Sequence, residues 1–575
     1  MIRLTELKLP LDHSPEDLNT MADKALAVTN AEVKYRQVFK RSYDARKAQL
    51  QVVYIVDVEL ADPQKEKALL AQHATNPHIS ATPDMGYKAV ARAPNNLRLR
   101  PVVVGFGPCG IFAALLLAQM GFKPIVLERG KTVRQRTKDT WGLWRKNKLN
   151  PESNVQFGEG GAGTFSDGKL WSQIKDPRYL GRKVMQEFVK AGAPEDILIE
   201  SHPHIGTFKL VKVVENMREQ IIALGGEIRF EQRVTDVLLE DCPADLQGRT
   251  RKLCALTVLD VTTNTSYELP ADHVVLALGH SSRDTFTMLH DRGVYMEAKP
   301  FSIGFRIEHP QSLIDRARWG RHAGHPLLGA AEYKLVHHAT QGLGKGRSVY
   351  SFCMCPGGTV VAATSEVGRV VTNGMSQYSR NERNANAGIV VGIDPRDYPT
   401  DATAFHNTLG EDVNAQITTG ATHHPLAGIV LQRQLESNAY ALGGSSYEAP
   451  GQLVGDFLAD RTSTSLGTVE PSYKPGVKLG SLYTALPSYA IEAIREALPV
   501  FAKKIKGFDM PDAVLTGVET RTSSPLKINR GDDFQSLNVA GIYPAGEGAS
   551  YAGGILSAGV DGIRVAEAIG KSLQP

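Results

Sequence analysis

The spacing of apolar positions changes several times along the chain, and each change marks an expected element. In LQVVYIVDVEL, residues 50–60, Val52, Tyr54, Val56, Val58 and Leu60 share one pleat face, while Asp57 and Glu59 leave the other partly solvated. Upstream, Ser14-Pro15-Glu16-Asp17 supplies an N-cap, a proline at the first helical position and a capping-box acid. Residues 1 to about 60 therefore read as a small α+β unit, and ARAPNNLRLRP, residues 91–101, as a linker. Residues 210–225 predict a helix, 227–239 and 253–261 strands, and ADHVVLALGH a buried strand ending in a loop. From about 291 to 514 the texture turns rich in Gly, Ser, Thr and Pro with short strands. Residues 515–575 return to strand, glycine turn and helix.

The sharpest pattern is RPVVVGFGPCGIFAALLLAQMGFKPIVLERG, residues 100–130. Val102–Val104 form a continuous apolar run, as in a parallel strand covered on both faces. Ile111, Ala114, Leu115 and Ala118 then recur at helical spacing, with Gly121 placed to cap the helix end, and Ile125-Val126-Leu127 gives a second buried strand. Gly105, Gly107 and Gly110 form G-x-G-x-x-G at the first strand-to-helix turn, with Pro108 and Cys109 inside it. The first glycine allows the tight turn, the second lets backbone approach a pyrophosphate, and the third closes helix onto strand. Glu128 stands 18 residues past Gly110, where an acid accepts hydrogen bonds from ribose hydroxyls; this disfavours a 2′-phosphate and prefers FAD or NAD to NADP.

Charge and cysteine content narrow the partners. Against 61 acidic residues the chain carries 65 Lys and Arg in 575, a net of +4, too small to make nucleic acid or an anionic membrane the default partner. The basic residues Lys34, Arg36, Lys40, Arg41, Arg46 and Lys47 are accordingly read as solvated surface rather than as an RNA face. No apolar run is long enough to span a bilayer, and the five cysteines are few and odd in number, so the cytoplasm is the expected address. The pairs His202/His204, His337/His338 and His423/His424 lack supporting ligand spacing, and no metal is assigned.

The choice of FAD comes from two further glycine motifs. NVQFGEGGAGTFSDGKL, residues 154–170, brings Gly160, Gly161 and Gly163 near a ligand with donors from Thr164, Ser166 and Lys169. IYPAGEGASYAGGILSAGVDGIRVAEAI adds a strand, a glycine turn and a helix start at Gly554. Together with EGGAGTFSDGKL, CMCPGG, ETRTSSP and PAGEGASYAGGILSAGVDG, the first motif resembles the glutathione-reductase-like FAD flavoproteins. Within them it resembles the long bacterial NAD(P)/FAD-dependent oxidoreductases, over nearly the whole chain. That resemblance implies an α/β fold: a Rossmann-type FAD-binding domain (three-layer ββα) with an inserted α+β substrate domain and a small N-terminal α+β domain. The divisions expected are 1–95, 96–290, 291–514 and 515–575. It implies FAD contacts from Gly105, Gly107, Pro108, Gly110, Glu128 and Arg129, with Val234 at the adenine and Ala277, Leu278 and Gly279 of LALGH beside the pyrophosphate. Gly546, Glu547 and Gly548 match the C-terminal flavin motif, where many relatives have Asp in place of Glu547. Gly554 and Ile555 would sit by the flavin pyrimidine.

The implied activity is that of an FAD-dependent oxidoreductase passing hydride between flavin and a small, anionic or carbonyl-containing metabolite. The substrate, the catalytic groups and the oligomeric state stay open. No second G-x-G-x-x-G follows a strand, so electrons must come from the substrate, from NAD(P)H docking transiently at the flavin, or from a partner protein. Arg521 is the leading candidate to clamp a carboxylate, the alternative being an ion pair with Glu519 or another acid. Cys353 and Cys355, two apart on an expected strand, read first as buried small hydrophobes and second as a flavin-linked dithiol, with Cys355 a candidate catalytic group. A flavin-binding sensor or scaffold and a flavin monooxygenase are the competing readings.

Overall fold

Val102–Val104 are buried on both faces because sheet neighbours flank them and layers cover them above and below. In the computed structural model, which describes residues 1–45, 49–410 and 422–574, they are the middle strand of a five-stranded parallel sheet. The order is Ile542–Pro544, Val274–Leu276, Val102–Val104, Ile125–Glu128, Glu227–Phe230. The chain steps outward in one direction through 125–128 and 227–230, then returns to add 274–276 and 542–544 on the other side. The order therefore reverses beside Val102–Val104, and the crevice beyond the carboxyl ends of the strands at such a reversal is where ligands bind.

One face of this sheet is covered by the helix Pro108–Gln119, which is apolar all round and buries ten consecutive residues, Cys109 to Ala118. It lies against the C-terminal helix Ile555–Ser572 at a distance only glycine permits: a Cβ on Gly562 would stand 2.3 Å from the Cys109 carbonyl oxygen. The opposite face carries the antiparallel meander Gln232–Asp241, Arg251–Asp260 and Thr265–Pro270.

The N-terminal unit lies within the expected 1–95. Ile2–Pro10, Val33–Asp44, Gln51–Leu60 and Ile79–Ala81 form an antiparallel sheet in the order second, third, first, fourth, with helices Pro15–Leu26 and Pro63–Gln72 completing a βαββαβ plan. Ser14 and Asp17 make the reciprocal capping box. Of the basic residues on this unit, Lys34 pairs with Glu59, Arg36 with Asp23 and Arg41 with Glu200, so their charge is locally neutralised; Arg46 and Lys47 lie outside the described residues.

The cap is built on a seven-stranded mixed sheet whose centre is Asn384–Ile393, Phe301–Pro310 and Val514–Glu519. The last of these, Val514–Glu519, pairs with Phe301–Pro310, because its six residues are all buried and need a neighbour on each side. The chain then leaves the cap through Thr520 and Arg521.

A buried ionic cluster fixes the cap to the rest. Glu436, fully buried on the cap helix Ala427–Leu442, accepts from Arg283 at 2.8 and 2.9 Å and from Arg521 at 2.9 and 3.0 Å. Arg283 opens the helix Arg283–Asp291 that follows the LALGH loop, so the pair joins two domains. Burial alone would raise the Glu436 carboxyl, but Arg283 and Arg521 hold it well below the usual range. Glu366, held down to about 2 by Arg283 and Arg433 against its own burial, completes the cluster. Glu436→Gln takes from Arg521 its bidentate anion and leaves Arg283 with Glu366 alone. It is expected to cost about 3–5 kcal/mol, read as an earlier unfolding transition of the full chain in urea followed by circular dichroism.

Candidate functional site

The site begins where three glycine segments converge. Gly105 takes φ +97° and packs so tightly that a Cβ would lie 2.3 Å from the Ala277 carbonyl oxygen; a Cβ on Gly110 would fall 1.9 Å from the Gly105 oxygen. Gly107 is the N-cap of Pro108–Gln119, and a Cβ built there meets only the Gly161 Cα at 3.6 Å, leaving open room at the positive end of the helix. The amides of the first helical turn have no acceptor within the helix and face that room.

Glu128, 5 % exposed, is fixed by three backbone amides: Phe106 N at 2.9 Å, Gly130 N at 2.8 Å and Gly158 N at 2.9 Å. The second strand, the glycine turn and the 154–170 loop are thereby tied to one carboxylate. The loop itself hangs on a residue that the motif reading missed. Arg136 is fully buried and donates to the carbonyls of Asn154, Val155 and Glu159 at 2.6–2.7 Å. Burial lowers its guanidinium to about 10, against the opposing pull of Glu128 and Glu159. Its signal was in the sequence: Val133, Arg136, Thr140 and Leu143 form the inward stripe of the helix Val133–Lys146, with a cation at a core position.

These segments line one cavity of about 1780 Å³. Around it stand Gly105, Gly107, Pro108, Cys109, Glu128, Arg129, Gly161, Gly163, Ser166, Lys169, Val234, Ala277, Leu278, Gly279, Gly546, Glu547, Gly554 and Ile555. Gly110, Gly160, Thr164 and Gly548 lie behind the wall and serve close packing: Gly160 N bonds the Phe106 carbonyl at 2.8 Å, and Gly548 presses on Gly279. Ser166 spends its hydroxyl inside its own loop, on the Gly163 carbonyl and the Gly168 amide. Arg129 is bound by Glu152 and Asp284 and stacks on Phe157.

Arg521 reaches the cavity wall, but both sides of its fork are taken. Glu436 holds one edge, and Ser281 and Ser365 accept from the other at 3.0 and 2.8 Å. A guanidinium this buried needs its anion within the protein, and of the two expected readings the geometry is that of an internal ion pair, made with Glu436; Glu519 is engaged by Arg306 instead. Cys355, the candidate catalytic group, is not the thiol on the cavity. The strand Ser348–Cys355 is bulged between Phe352 and Cys355, with Cys353 at φ +44°, so Cys353 lines the cavity and Cys355 is fully buried.

A second helix start closes the far end. Gly554 caps Ile555–Ser572, and neither Gly553 nor Gly554 has any atom within 4 Å of a built Cβ. Gly546 N is held by Asp561 at 2.8 Å, and Asp561 in turn by Arg530 at 2.6 and 3.0 Å. Next to it, burial pushes the Glu547 carboxyl up to about 7, with Cys353 adding to the rise and Lys299 opposing it. His280, 4.0 Å away, is lowered to about 3 by burial and by Arg521 and Arg283, so it is neutral at physiological pH.

A cavity of about 300–1,000 Å³ encloses one small ligand, and this one has room for a dinucleotide and a second molecule. Two helix N-termini, side-chain-free approaches at Gly107 and Gly554, and an oriented carboxylate at Glu128 fit a dinucleotide cofactor laid along the strand ends. The mixed α/β fold and the cavity fit a protein that binds FAD. The family described as FAD-dependent protein, C-terminal domain-like matches residues 300–522, and a domain of unknown function matches residues 1–59. An uncharacterized protein of Clostridium beijerinckii is 45% identical over 569 residues, covering 99% of this chain and 98% of that one. The chain belongs to the family of that protein, and FAD is its cofactor. The 3-ketosteroid-Δ4-(5α)-dehydrogenase of Rhodococcus jostii, solved with 4-androstene-3,17-dione, is 12% identical with a TM-score of 0.32 over 84% of this chain and 99% of that one. The glycerol-3-phosphate dehydrogenase of Bacillus halodurans, complexed with FAD, is 14% identical with a TM-score of 0.25 over 52% of this chain and 48% of that one. Among the described residues no helix is long and apolar enough to cross a membrane.

Glu128→Gln removes the anionic acceptor and is expected to raise the FAD dissociation constant about 10- to 100-fold, the equivalent of one charge-assisted hydrogen bond, measured by fluorescence titration of the apoprotein. Glu547 gives a pH-dependent prediction for stability. Its folded pKa lies above the unfolded one, so its ionisation costs nothing below about pH 4.5, costs more as pH rises, and costs most above about 7. Glu547→Gln should therefore raise the thermal midpoint at pH 8 and leave it nearly unchanged at pH 4.5.

Proposed function

We propose that the chain is an oxidoreductase that passes hydride between FAD and a small anionic metabolite seated between the glycine-turn domain and the cap. What carries this reading is the continuity of the cavity. From the Gly107 turn it runs past Glu547 and Ile555 to a mouth lined by Trp171, Trp319 and the N-terminal residues Arg41 and Tyr43. Lys334, Arg318 and Lys504 stand at that mouth, and no carboxylate among the described residues lies within ion-pair distance of any of them. Uncompensated cations beside aromatic faces favour a ligand that brings its own negative charge.

Bound FAD supplies a two-electron donor and acceptor, and the protein supplies the rest. Glu547, poised near neutrality, is suited to give or take the proton that accompanies hydride transfer. His280 stays neutral beside it and adds no charge. The N-terminus of Ile555–Ser572 favours negative charge on the group bound against it. Among the described residues the five-stranded sheet is the one parallel sheet, which supports reduction by the substrate itself or by NAD(P)H docking transiently.

The test is anaerobic titration of the FAD-loaded chain with NADH, NADPH and a panel of carboxylate and carbonyl metabolites, followed at the flavin absorbance. Bleaching by an anionic metabolite is expected, with apparent affinity falling about two- to five-fold for each of Arg318→Glu and Lys334→Glu, as for single exposed charges. If no donor bleaches the protein, the oxidoreductase reading fails and a flavin-binding sensor takes its place.

A further inference from the structure

The geometry points to Cys353 and Cys355 as a redox-active dithiol in the cavity wall that exchanges with small disulfides, Cys353 attacking and Cys355 resolving. This goes beyond the flavin reaction and is read without it. Four observations meet at this pair. Cys353 opens on the cavity and Cys355 is sealed behind it, the division of labour that an attacking and a resolving thiol require. The bulge and the left-handed backbone at Cys353 break the strand's alternation, and the Cys355 thiol donates back to the Cys353 carbonyl at 3.4 Å. Fully buried Arg306 donates to the Cys353 carbonyl at 2.8 Å, and the ammonium of Lys169 donates to the Met354 carbonyl between the two cysteines. Both cysteines are free.

The charges facing Cys353 are Arg306 and Lys169 on the positive side and Glu519 and Glu547 on the negative. Glu519 is spent on Arg306, and Glu547 is held toward its neutral form. The neighbouring Cys355 thiol and then the cations Arg306 and Lys169 hold the Cys353 thiol below its ordinary range, while the Cys355 thiol, beside Cys353 and buried, is pushed well up. An attacking group ionised at neutral pH thus sits beside a protonated partner.

The exchange balances. The Cys353 thiolate attacks one sulfur of the substrate disulfide, forming a mixed disulfide and expelling one thiolate. That thiolate or water takes the Cys355 proton, Cys355 attacks the Cys353 sulfur, and the second thiolate leaves as the Cys353–Cys355 bond forms. The protein dithiol loses two electrons and the substrate disulfide gains them. With its thiol held below the ordinary range, Cys353 carries more thiolate at pH 6 than an ordinary cysteine; allowing for the lower nucleophilicity of a low-pKa thiol, it should react about ten-fold faster.

The experiment uses the reduced, full-length, FAD-loaded chain and the aromatic disulfide 5,5′-dithiobis(2-nitrobenzoate) at pH 6. Wild type should release two thiolates per chain in a fast phase and finish with Cys353 joined to Cys355 by peptide mass mapping. Cys355→Ser should release one and retain the probe on Cys353; Cys353→Ser should lose the fast phase. A fast phase that survives Cys353→Ser, or a wild-type chain in which the probe stays on Cys353 with no internal bond, overturns the proposal. The wild-type mass map decides the matter even if a variant fails to fold, and failure of flavin bleaching by any metabolite leaves this outcome untouched.

Discussion

Glu436 is the point on which the arrangement depends. A carboxylate with no exposure is stable as an anion only because Arg283 and Arg521 flank it, one from the glycine-turn domain and one from the segment that carries the chain out of the cap. The wall of the cavity is set by where those two guanidinium groups are held. Replacing the cluster with apolar side chains of equal volume could be as stable in principle, yet it would lose the directional joint that orients cap against sheet.

On the other side of the cavity, backbone without side chains does the same job. Gly107 and Gly161 face each other across the first turn, and Gly562 lets two helices nearly touch at Cys109. Each glycine in a helix interior costs about 1 kcal/mol relative to alanine, an expense offset by the buried apolar faces of Pro108–Gln119 and Ile555–Ser572. Arg136 and Glu128 then position the 154–170 loop by hydrogen bonds to its backbone, so the loop is held firmly while its glycines leave room for a ligand.

What the sequence disclosed, and what it hid, follows from the range of the interactions. The turn at Gly105–Gly110, its flanking strands and Glu128 were legible because a local period and a local spacing encode them. The capping box at Ser14 was legible for the same reason. Arg521 stayed open between a clamp and an ion pair because its partner lies 85 residues away on another element, and nothing near ETRTSSP announces Glu436. That the two cysteines part company, one on the cavity and one behind it, was not legible because a bulge breaks the strand's regular alternation, and a bulge in VYSFCMCPGG carries no glycine or proline at the position itself. Strand Val514–Glu519 reads as a buried run wherever it is placed; only its pairing with Phe301–Pro310 shows which domain owns it.

The N-terminal unit is explained by its contacts more than by its charge. The Arg41 amide donates to Ile199 O at 2.7 Å, Ser201 N donates back to the Arg41 carbonyl at 2.9 Å, and the Tyr43 hydroxyl donates to Leu327 O at 2.6 Å. The edge strand Val33–Asp44 is thus docked by backbone pairing at the cavity mouth, which also satisfies donors that an exposed edge would leave open. A surface patch for recruiting partners would keep its cations free, whereas Arg41 is committed to Glu200 and contributes its residue to the wall. The domain's position argues that it shapes what enters the cavity, and the cations left uncompensated at the same mouth argue that charge is part of the selection.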